Sequence, residues 1–329
     1  MRIGLALAAG GAVGVAYHGG VMAALEEATG WDARQAEVMV GTSAGSVTAA
    51  MLRAGMPASD LAGVSEDRPL SPEGAAIAAR GRPHRPRPSR FDTLGFRPIG
   101  DPLALARGLA RPWAVPPKAT VLAALPTGGI PTEPISEGID AVFGGSWPTR
   151  PLWLCSFDLR AGRRVVFGRA GAPAATVGRA VAASCAIPMY FRPVEIGDRR
   201  YVDGGVHSMV NLDLLAGLDL DLVVAVAPMG QAAPWGGGVV RRSLRTRLEL
   251  EARALGRRGV PVVTIQPGRS VVAAMGANPM DAARRGAVSR AARESVGRWL
   301  SEGVEGRRLS RLLETASTGR LGRAATGSA

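Results

Sequence analysis

Hydrophobic positions near the start of the chain form short apolar runs separated by longer amphipathic stretches. The pattern predicts strands at 2–8 and 37–40, followed by helices at 15–28 and 44–53 respectively. A glycine and a proline soon after the second helix are expected to end it. Since strands and helices alternate in this order in parallel sheets covered by helices, the sequence predicts an α/β fold.

The same periodicities predict further elements in the second half of the chain. A β-hairpin is expected over 152–167, turning at 161–162, and nearly continuous β-branched runs at 222–227 and 260–265 predict strands buried on both faces. A short strand is expected at 201–202. Helices are expected at 102–108, 121–125, 135–142, 177–184, 241–255 and 280–313.

A proline- and arginine-rich stretch at about 66–93 interrupts the pattern. Its Arg-Pro and Pro-Arg steps disfavour both helices and central strands, so we expect an exposed insertion that acts as a lid or a linker. The length of 329 residues suits one large domain or two small ones. We predict a single domain over 1–316 and a flexible C-terminal tail over 317–329.

The chain is strongly basic, with 40 Lys and Arg against 27 Asp and Glu and a net charge of +13. A basic surface favours nucleic acid or an anionic membrane, whereas an arginine-rich coding bias is the alternative explanation. No aromatic residues are interleaved with the basic ones to stack on bases, so no nucleic-acid partner is expected. The arginine-rich helix at 280–313 would either lie on anionic lipid or pack on the core.

Cysteine content and the uncharged stretch at 3–25 bear on the cellular compartment. Two isolated cysteines exclude a disulfide framework or a zinc cage and indicate a reducing compartment. Six glycines within 3–25 favour a strand, a turn and a helix over a membrane span, with export by cleavage near 5–9 as the alternative. We therefore expect a cytoplasmic protein, at most peripheral to the inner face of the membrane. The sequence makes no prediction of oligomeric state.

A G-x-S-x-G motif stands where the second predicted strand meets the second predicted helix. Residues Gly41 to Gly45 put Ser43 at this turn, which is the context of a nucleophile elbow. The glycines permit a strained turn that lifts the serine oxygen out of the backbone, and the helix N-terminus favours negative charge there. The alternative interpretation is a serine that caps a helix between small residues.

A glycine-rich loop at 10–14, with the sequence Gly-Gly-Ala-Val-Gly, occupies the preceding strand-to-helix turn. In a parallel sheet, the backbone N–H groups of this loop would lie near the same edge as Ser43, as an oxyanion hole requires. The loop lacks the first glycine of a dinucleotide fingerprint and the lysine of a P-loop. Nucleotide binding is therefore a minor alternative.

The base that would activate the serine is not obviously a histidine. His84 lies in the insertion, His18 follows the glycine loop, and no histidine follows His207, although a Ser-Asp-His order requires a later one. Asp203 ends a predicted strand and precedes two glycines, so it is the better candidate to accept the proton of Ser43 directly. A plain Asp-Gly turn is the alternative.

Together these motifs resemble the patatin-like phospholipase family. The resemblance spans most of the chain: the glycine loop with 16–21 after it, the elbow, the stretch 183–188 and the Tyr-Val-Asp-Gly-Gly-Val stretch 201–206. It implies a three-layer α/β/α fold with a mostly parallel sheet, and hydrolysis of lipid acyl esters by Ser43 as nucleophile and Asp203 as base, without metal or cofactor. The resemblance assigns the oxyanion hole to the backbone of Gly10, Gly11 and Ala12, with supporting motif residues Gly14, Gly41, Gly45, Gly204 and Gly205.

Two departures from the family pattern bear on the substrate. Val13 stands where family members typically carry Arg or Lys, and Ala9 replaces a first glycine. Valine cannot form charge-assisted hydrogen bonds to a phospholipid phosphate, so a neutral acylglycerol or another acyl ester is the alternative substrate. An acyltransferase that uses the same Ser-Asp dyad and a catalytically impaired lipid-binding protein are the alternative functions. His18 is expected to be structural.

Overall fold

A computed structural model describes most of the chain, and within it eight strands form one mixed sheet. The described residues are 1–81, 99–111, 113, 116–230 and 238–326, with backbone alone for 238–245 and 319–326. The strands are β1 (Ile3–Leu7), β2 (Val38–Thr42), β3 (Leu152–Asp158), β4 (Arg163–Phe167), β5 (Val194–Ile196), β6 (Arg199–Asp203), β7 (Leu222–Val226) and β8 (Val262–Ile265).

The strand order is β5-β6-β3-β2-β1-β7-β8, and β4 pairs with β3 in the predicted hairpin. The five strands from β3 to β8 along this order are parallel, whereas β6 is antiparallel to both β3 and β5. Every residue of β1, β2 and β7 is buried, as expected for parallel strands covered on both faces. The prediction of a mostly parallel sheet is therefore confirmed.

Twelve helices lie within the described ranges. They are α1 (Gly11–Thr29), α2 (Ala44–Arg53), α3 (Ala58–Glu66), α4 (Pro72–Arg80), α5 (Pro102–Ala110), α6 (Pro117–Ala124), α7 (Glu133–Phe143), α8 (Val177–Cys185), α9 (Gly238–Gly256), α10 (Arg269–Met275), α11 (Arg285–Glu302) and α12 (Val304–Thr326). None of those in the described part of the chain combines the length and the apolarity needed to cross a membrane.

Side chains of β1 point alternately into two hydrophobic clusters. Leu5 and Leu7 belong to the larger cluster, which contains residues of α1, α2, α8, α11 and α12. Ala6 belongs to the smaller cluster on the other face, together with Leu248 and Leu255 of α9. Because strand side chains alternate between faces, helices cover both sides of the sheet. The fold is the predicted three-layer α/β/α arrangement.

The stretch 66–93 is not wholly irregular, contrary to the prediction, because α4 lies inside it. Ser71 accepts a hydrogen bond from the N–H of Gly74 as the N-cap, and Pro72 occupies the first turn. The Arg-Pro steps that suggested an irregular insertion begin only at 82. The rest of that insertion, 82–93, lies outside the described residues.

The C-terminal region also differs from its prediction. Two helices, α11 and α12, replace the single helix expected at 280–313, because Gly303 adopts an extended backbone conformation between them. Helix α12 continues to Thr326, so most of the predicted tail at 317–329 is helical, and 327–329 lie outside the described residues. The predicted limits of the domain stay a prediction.

Candidate active site

Three chain segments that carry predicted site residues converge at one edge of the sheet. Strands β1 and β2 are parallel with Leu7 opposite Gly41, so the glycine loop and Ser43 leave the sheet side by side. Strand β6 arrives from the opposite direction, and Asp203 at its end pairs with Ser156 of β3. Ser156 is one residue beyond Cys155, the partner of Thr42 on β2, so Ser43 and Asp203 lie level with each other on either side of β3.

Ser43 occupies a strained turn between β2 and α2. Its φ of 53° and ψ of −119° lie in a region that residues other than glycine rarely adopt, at a cost of about 1–3 kcal/mol. The two motif glycines make the turn possible because neighbouring backbone lies too close to them to leave room for a Cβ. A Cβ on Gly41 would lie 2.6 Å from the Cα of Ser46, and one on Gly45 would collide with the carbonyl oxygen of Leu7.

Three side chains hold the backbone of Ser43 in this conformation. The N–H of Ser43 donates to the Oγ of Ser184 at 2.9 Å. The carbonyl oxygen of Ser43 accepts hydrogen bonds from the Oγ of Ser46 at 2.6 Å and from the Sγ of Cys185 at 3.4 Å. Sequence analysis did not assign a role to Ser184 or Cys185. Their only signal was the motif at 183–188, which contributed to the family resemblance.

The side chains of Ser43 and Asp203 lie close enough for the serine hydroxyl to influence the pKa of the carboxylate. Both are buried, with 4% of Ser43 and 5% of Asp203 exposed. Burial raises the pKa of Asp203 to about 6, although hydrogen bonds from the hydroxyl of Ser43 and the N–H of Gly205 oppose this shift. The bond from Gly205 to Oδ1 is 2.7 Å long. Asp203 is thus a buried carboxylate next to a serine hydroxyl.

The turn after Asp203 depends on its two glycines. A Cβ on Gly204 would collide with the carbonyl oxygen of Cys155, and one on Gly205 would lie 2.9 Å from the Oδ1 of Asp203 and from the Sδ of Met209. A larger residue at 204 would push the turn away from β3, and one at 205 would crowd the carboxylate of Asp203. The two glycines therefore keep the carboxylate at the end of β6 close to the elbow.

The glycine loop leads into the N-terminus of α1. Gly11 has a φ of +64°, which favours glycine, and a Cβ on Gly10 would lie 2.8 Å from the Cα of Gly14. The N–H of Val13 donates to the carbonyl oxygen of Pro279 at 3.1 Å. Within the described residues, the N–H groups of Gly10, Gly11 and Ala12 have no hydrogen-bond acceptor. These donors are available to a bound oxygen atom.

Val13 faces the protein interior. Its side chain is completely buried in the larger hydrophobic cluster, between the sheet and the helices that cover it. A valine there contributes to the core and offers no charge to a ligand. The position at which family members typically carry a cation is apolar in this protein.

Neither described histidine hydrogen-bonds to Ser43 or Asp203. His18 is completely buried, and its Nδ1 lies 3.4 Å from the Oγ1 of Thr48; burial lowers its pKa to about 3. His207 accepts a hydrogen bond from Arg247 at 3.3 Å, and burial and neighbouring arginines lower its pKa to about 4. Both rings are neutral at pH 7. His84 lies outside the described residues.

No group of three or more His, Cys, Asp or Glu side chains in the described ranges is arranged to hold a metal ion. Cys155 and Cys185 are both buried free thiols, and burial raises the pKa of each to about 12. Neither thiol is therefore ionised near neutral pH. The hydrogen-bond partners of Ser43 and Asp203 include backbone N–H groups, hydroxyls and the uncharged thiol of Cys185.

The model of the patatin-like phospholipase family matches residues 5–216, which include the glycine loop, Ser43 and Asp203. No curated protein sequence matches the chain. Among solved structures, VipD from Legionella pneumophila is 15% identical over 89% of this chain and 65% of that chain, with a TM-score of 0.39. The ExoU–SpcU complex of the type III secretion system from Pseudomonas aeruginosa is 18% identical over 92% of this chain and 51% of that chain, also with a TM-score of 0.39.

A separate structure of the type III effector protein ExoU is 20% identical over 90% of this chain and 52% of that chain, with a TM-score of 0.35. The chain thus spans between about half and two thirds of the length of these structures. The family match covers well over half of the present chain. The chain belongs to the patatin-like phospholipase family.

Proposed function

We propose that this protein hydrolyses acyl esters of lipids through Ser43 and Asp203 without a histidine. Family membership supports lipid hydrolysis as the general activity. The observation that carries the finer proposal is the proximity of the Ser43 hydroxyl, at a strained strand-to-helix turn, to the buried Asp203 carboxylate, whose pKa it lowers. A nucleophile and a base in direct contact are what covalent acyl transfer requires.

In the proposed first half-reaction, Asp203 accepts the proton of Ser43 as the serine oxygen bonds to the ester carbonyl carbon. The ester bond then breaks, the departing alcohol oxygen takes the proton from Asp203, and an acyl-enzyme remains. In the second half-reaction, water gives a proton to Asp203 and attacks the same carbon. The fatty acid leaves and Ser43 regains its proton.

The proposed oxyanion hole consists of the unpaired N–H groups of Gly10, Gly11 and Ala12. These donors sit on rigid backbone at the N-terminus of α1, where partial positive charge favours a developing oxyanion. One such donor contributes about 3–4 kcal/mol to transition-state stabilisation in serine hydrolases. The short distance between the ends of β1 and β2 supports this assignment, since Leu7 pairs with Gly41.

The burial of Val13 supports a neutral acyl ester over a phospholipid as the preferred substrate. A phosphate next to the oxyanion loop would require a cation to compensate for the loss of its hydration, and an apolar core residue occupies that position. The comparison to make is hydrolysis of a diacylglycerol against a phosphatidylcholine with the same acyl chains. Faster hydrolysis of the phosphatidylcholine would contradict this preference.

The dyad itself is tested by labelling the full chain with a fluorophosphonate probe and identifying the modified residue by mass spectrometry. We expect covalent modification of Ser43, and none in Ser43→Ala. Ser301→Ala, at an exposed serine of α11, is the control and should label like the unchanged protein. An unlabelled Ser43 in folded protein would instead favour a catalytically impaired lipid-binding protein.

A single-turnover experiment separates hydrolysis from acyl transfer. The acyl-enzyme formed from a chromogenic ester is divided between water and an added alcohol such as glycerol, and the products are quantified. We expect free fatty acid to remain the main product at moderate glycerol concentration. Nearly complete transfer to the alcohol would identify an acyltransferase that uses the same dyad.

A further inference from the structure

In the described part of the C-terminal helices, most of the large apolar side chains pack against the core. Leu309, Leu313 and Ala316 of α12 are buried in the larger hydrophobic cluster, whereas Val304 at the start of the helix is exposed. In α11, Val288 and Ala292 are likewise buried there. An amphipathic helix binds a bilayer by burying its apolar face in the lipid. In α11 and α12 that face already contacts the protein core.

A different segment exposes apolar side chains. Within the described residues, four of the ten exposed large hydrophobic side chains fall between 103 and 121, in α5, α6 and their connection. Trp113 is 83% exposed, Leu109 70%, Val121 61% and Leu103 58%. Exposed apolar residues scattered one at a time are ordinary, whereas their concentration in one short segment indicates an interaction surface.

The charge around these side chains indicates what kind of surface they contact. No Asp or Glu occurs between 102 and 132, whereas this stretch contains Arg107, Arg111 and Lys118. Arg107 and Arg111 are exposed beside Leu109 on α5. Basic side chains interspersed with exposed Leu and Trp are typical of elements that insert into the interface of an anionic bilayer.

The first turn of α6 contacts the segment that follows Asp203. Lys118 at the start of α6 donates a hydrogen bond to the carbonyl oxygen of Val206, three residues after Asp203, and its ammonium lies 5.9 Å from the ring centroid of Phe157. Ala119 of α6 packs with Phe157 and Val202 in a third hydrophobic cluster. A bilayer that binds α5 and α6 would therefore lie close to Asp203.

We propose that the exposed side chains of α5, α6 and their connection, Leu103, Arg107, Leu109, Arg111, Trp113 and Val121, form a docking surface for an anionic lipid bilayer. The apolar side chains insert among the acyl chains, and the two arginines bind anionic headgroups. Trp113 lies at the level of the headgroups, the position that tryptophan prefers at membrane interfaces. Binding is then weakened by salt, since the arginine contribution is screened.

The test measures sedimentation of the full chain with vesicles, in a Ser43→Ala background so that binding is read independently of hydrolysis. Vesicles of phosphatidylcholine mixed with phosphatidylglycerol are compared with phosphatidylcholine alone. We expect binding to the anionic vesicles, and a loss of at least about tenfold in affinity in Leu109→Ala/Trp113→Ala. The matched control is Leu250→Ala/Val304→Ala, whose side chains are also exposed but lie on α9 and α12. It should bind like the parent.

Two further measurements test separately the contribution of arginine charge and the insertion of Trp113 into the bilayer. Arg107→Gln/Arg111→Gln removes charge from exposed positions and should reduce binding to anionic vesicles severalfold at low salt and less at high salt. Trp113→Phe should remove most of the blue shift in tryptophan fluorescence that vesicles induce. Each variant is first compared with the parent by thermal unfolding and by size-exclusion chromatography.

Several results would overturn the proposal. They are absence of binding by the parent to anionic vesicles, equal binding by the folded Leu109→Ala/Trp113→Ala variant, and equal loss of binding in the α9 and α12 control. A parent that is dimeric and becomes monomeric in Leu109→Ala/Trp113→Ala would assign the surface to a second copy of the chain. If the proposed hydrolysis were wrong, the parent protein would be inactive on a soluble ester but would still bind vesicles, so the two failures can be told apart.

Discussion

The hydroxyl of Ser43 and the carboxylate of Asp203 lie close together although the strands that precede them run in opposite directions. Strand β3 lies between the two, and the pairing of its residues with β2 and β6 puts both side chains at the same level of the sheet. An antiparallel β6 is needed for this contact, because only then does its last residue reach the edge at which β2 ends.

Removal of either member of the dyad should abolish turnover. We expect Ser43→Ala and Asp203→Asn each to lower kcat/KM for a soluble chromogenic ester by about 10³-fold or more, since nucleophile and base act as a unit. Circular dichroism should show an unchanged fold. The matched controls are Ser301→Ala and Asp219→Asn, both at exposed side chains, which should keep full activity. Full activity in either dyad variant would contradict the assignment.

The pKa of Asp203 predicts how activity depends on pH. The base acts as the carboxylate, and burial raises its pKa to about 6, so kcat/KM should fall about tenfold per pH unit below 6 and level off above it. The check is the pH profile of hydrolysis of a soluble ester with an uncharged leaving group. A profile that stays flat down to pH 4.5 would exclude Asp203 as the base.

The same shift predicts that the ionised aspartate reduces stability. The pKa of about 6 in the folded protein lies above the ordinary aspartate value of 3.8. The protonated carboxyl therefore stabilises the fold fully below pH 3.8, and this stabilisation is lost as pH rises through 6. At pH 8, the free energy of unfolding of Asp203→Asn should therefore be about 1–3 kcal/mol higher than that of the parent. Urea unfolding at pH 8 and pH 4 measures this, and the difference should shrink at the lower pH.

Ser184 is expected to affect rate by positioning the elbow. In Ser184→Ala the N–H of Ser43 loses its acceptor in a buried site, which costs about 1–3 kcal/mol. We expect kcat to fall while KM stays nearly constant, since the strained turn relaxes without changing the binding surface. Ser289→Ala, another completely buried serine that donates to Glu66, should lose comparable stability. Its kcat should be unchanged, and an equal loss of kcat in both variants would show a general effect of instability.

Glycine at position 45 is expected to be essential for folding. A Cβ there collides with the backbone of β1, which cannot move away within the sheet, so Gly45→Ala should destabilise the protein by about 3 kcal/mol or more or prevent folding. The contrasting variant is Gly297→Ala in α11, where a Cβ meets nothing within 4 Å. That change should stabilise the helix by about 0.5–1 kcal/mol. Urea unfolding of both proteins tests the pair.

Much of the fold was predictable from local sequence patterns. The bounds of α2 agree with the prediction at 44–53, and the hairpin of β3 and β4 turns where it was expected. Hydrophobic periodicity gave wrong helix bounds in two places, where nearby prolines or glycines were misleading. The prolines after position 81 obscured α4, although Ser71 and Pro72 are good N-terminal signals, and one extended glycine separates α11 from α12.

By itself, the sequence determined which residues can make sharp turns and which stretches are apolar, because these properties belong to neighbouring residues. The glycines around Ser43 and after Asp203 were visible in this way, and they singled out both side chains. The tertiary structure decided the direction of β6, the acceptor role of Ser184, the burial that raises the pKa of Asp203 and the exposure of Trp113. Each of these properties depends on which distant segments pack together. Packing removes water from a side chain and brings its partners near, and no single position in the sequence specifies either effect.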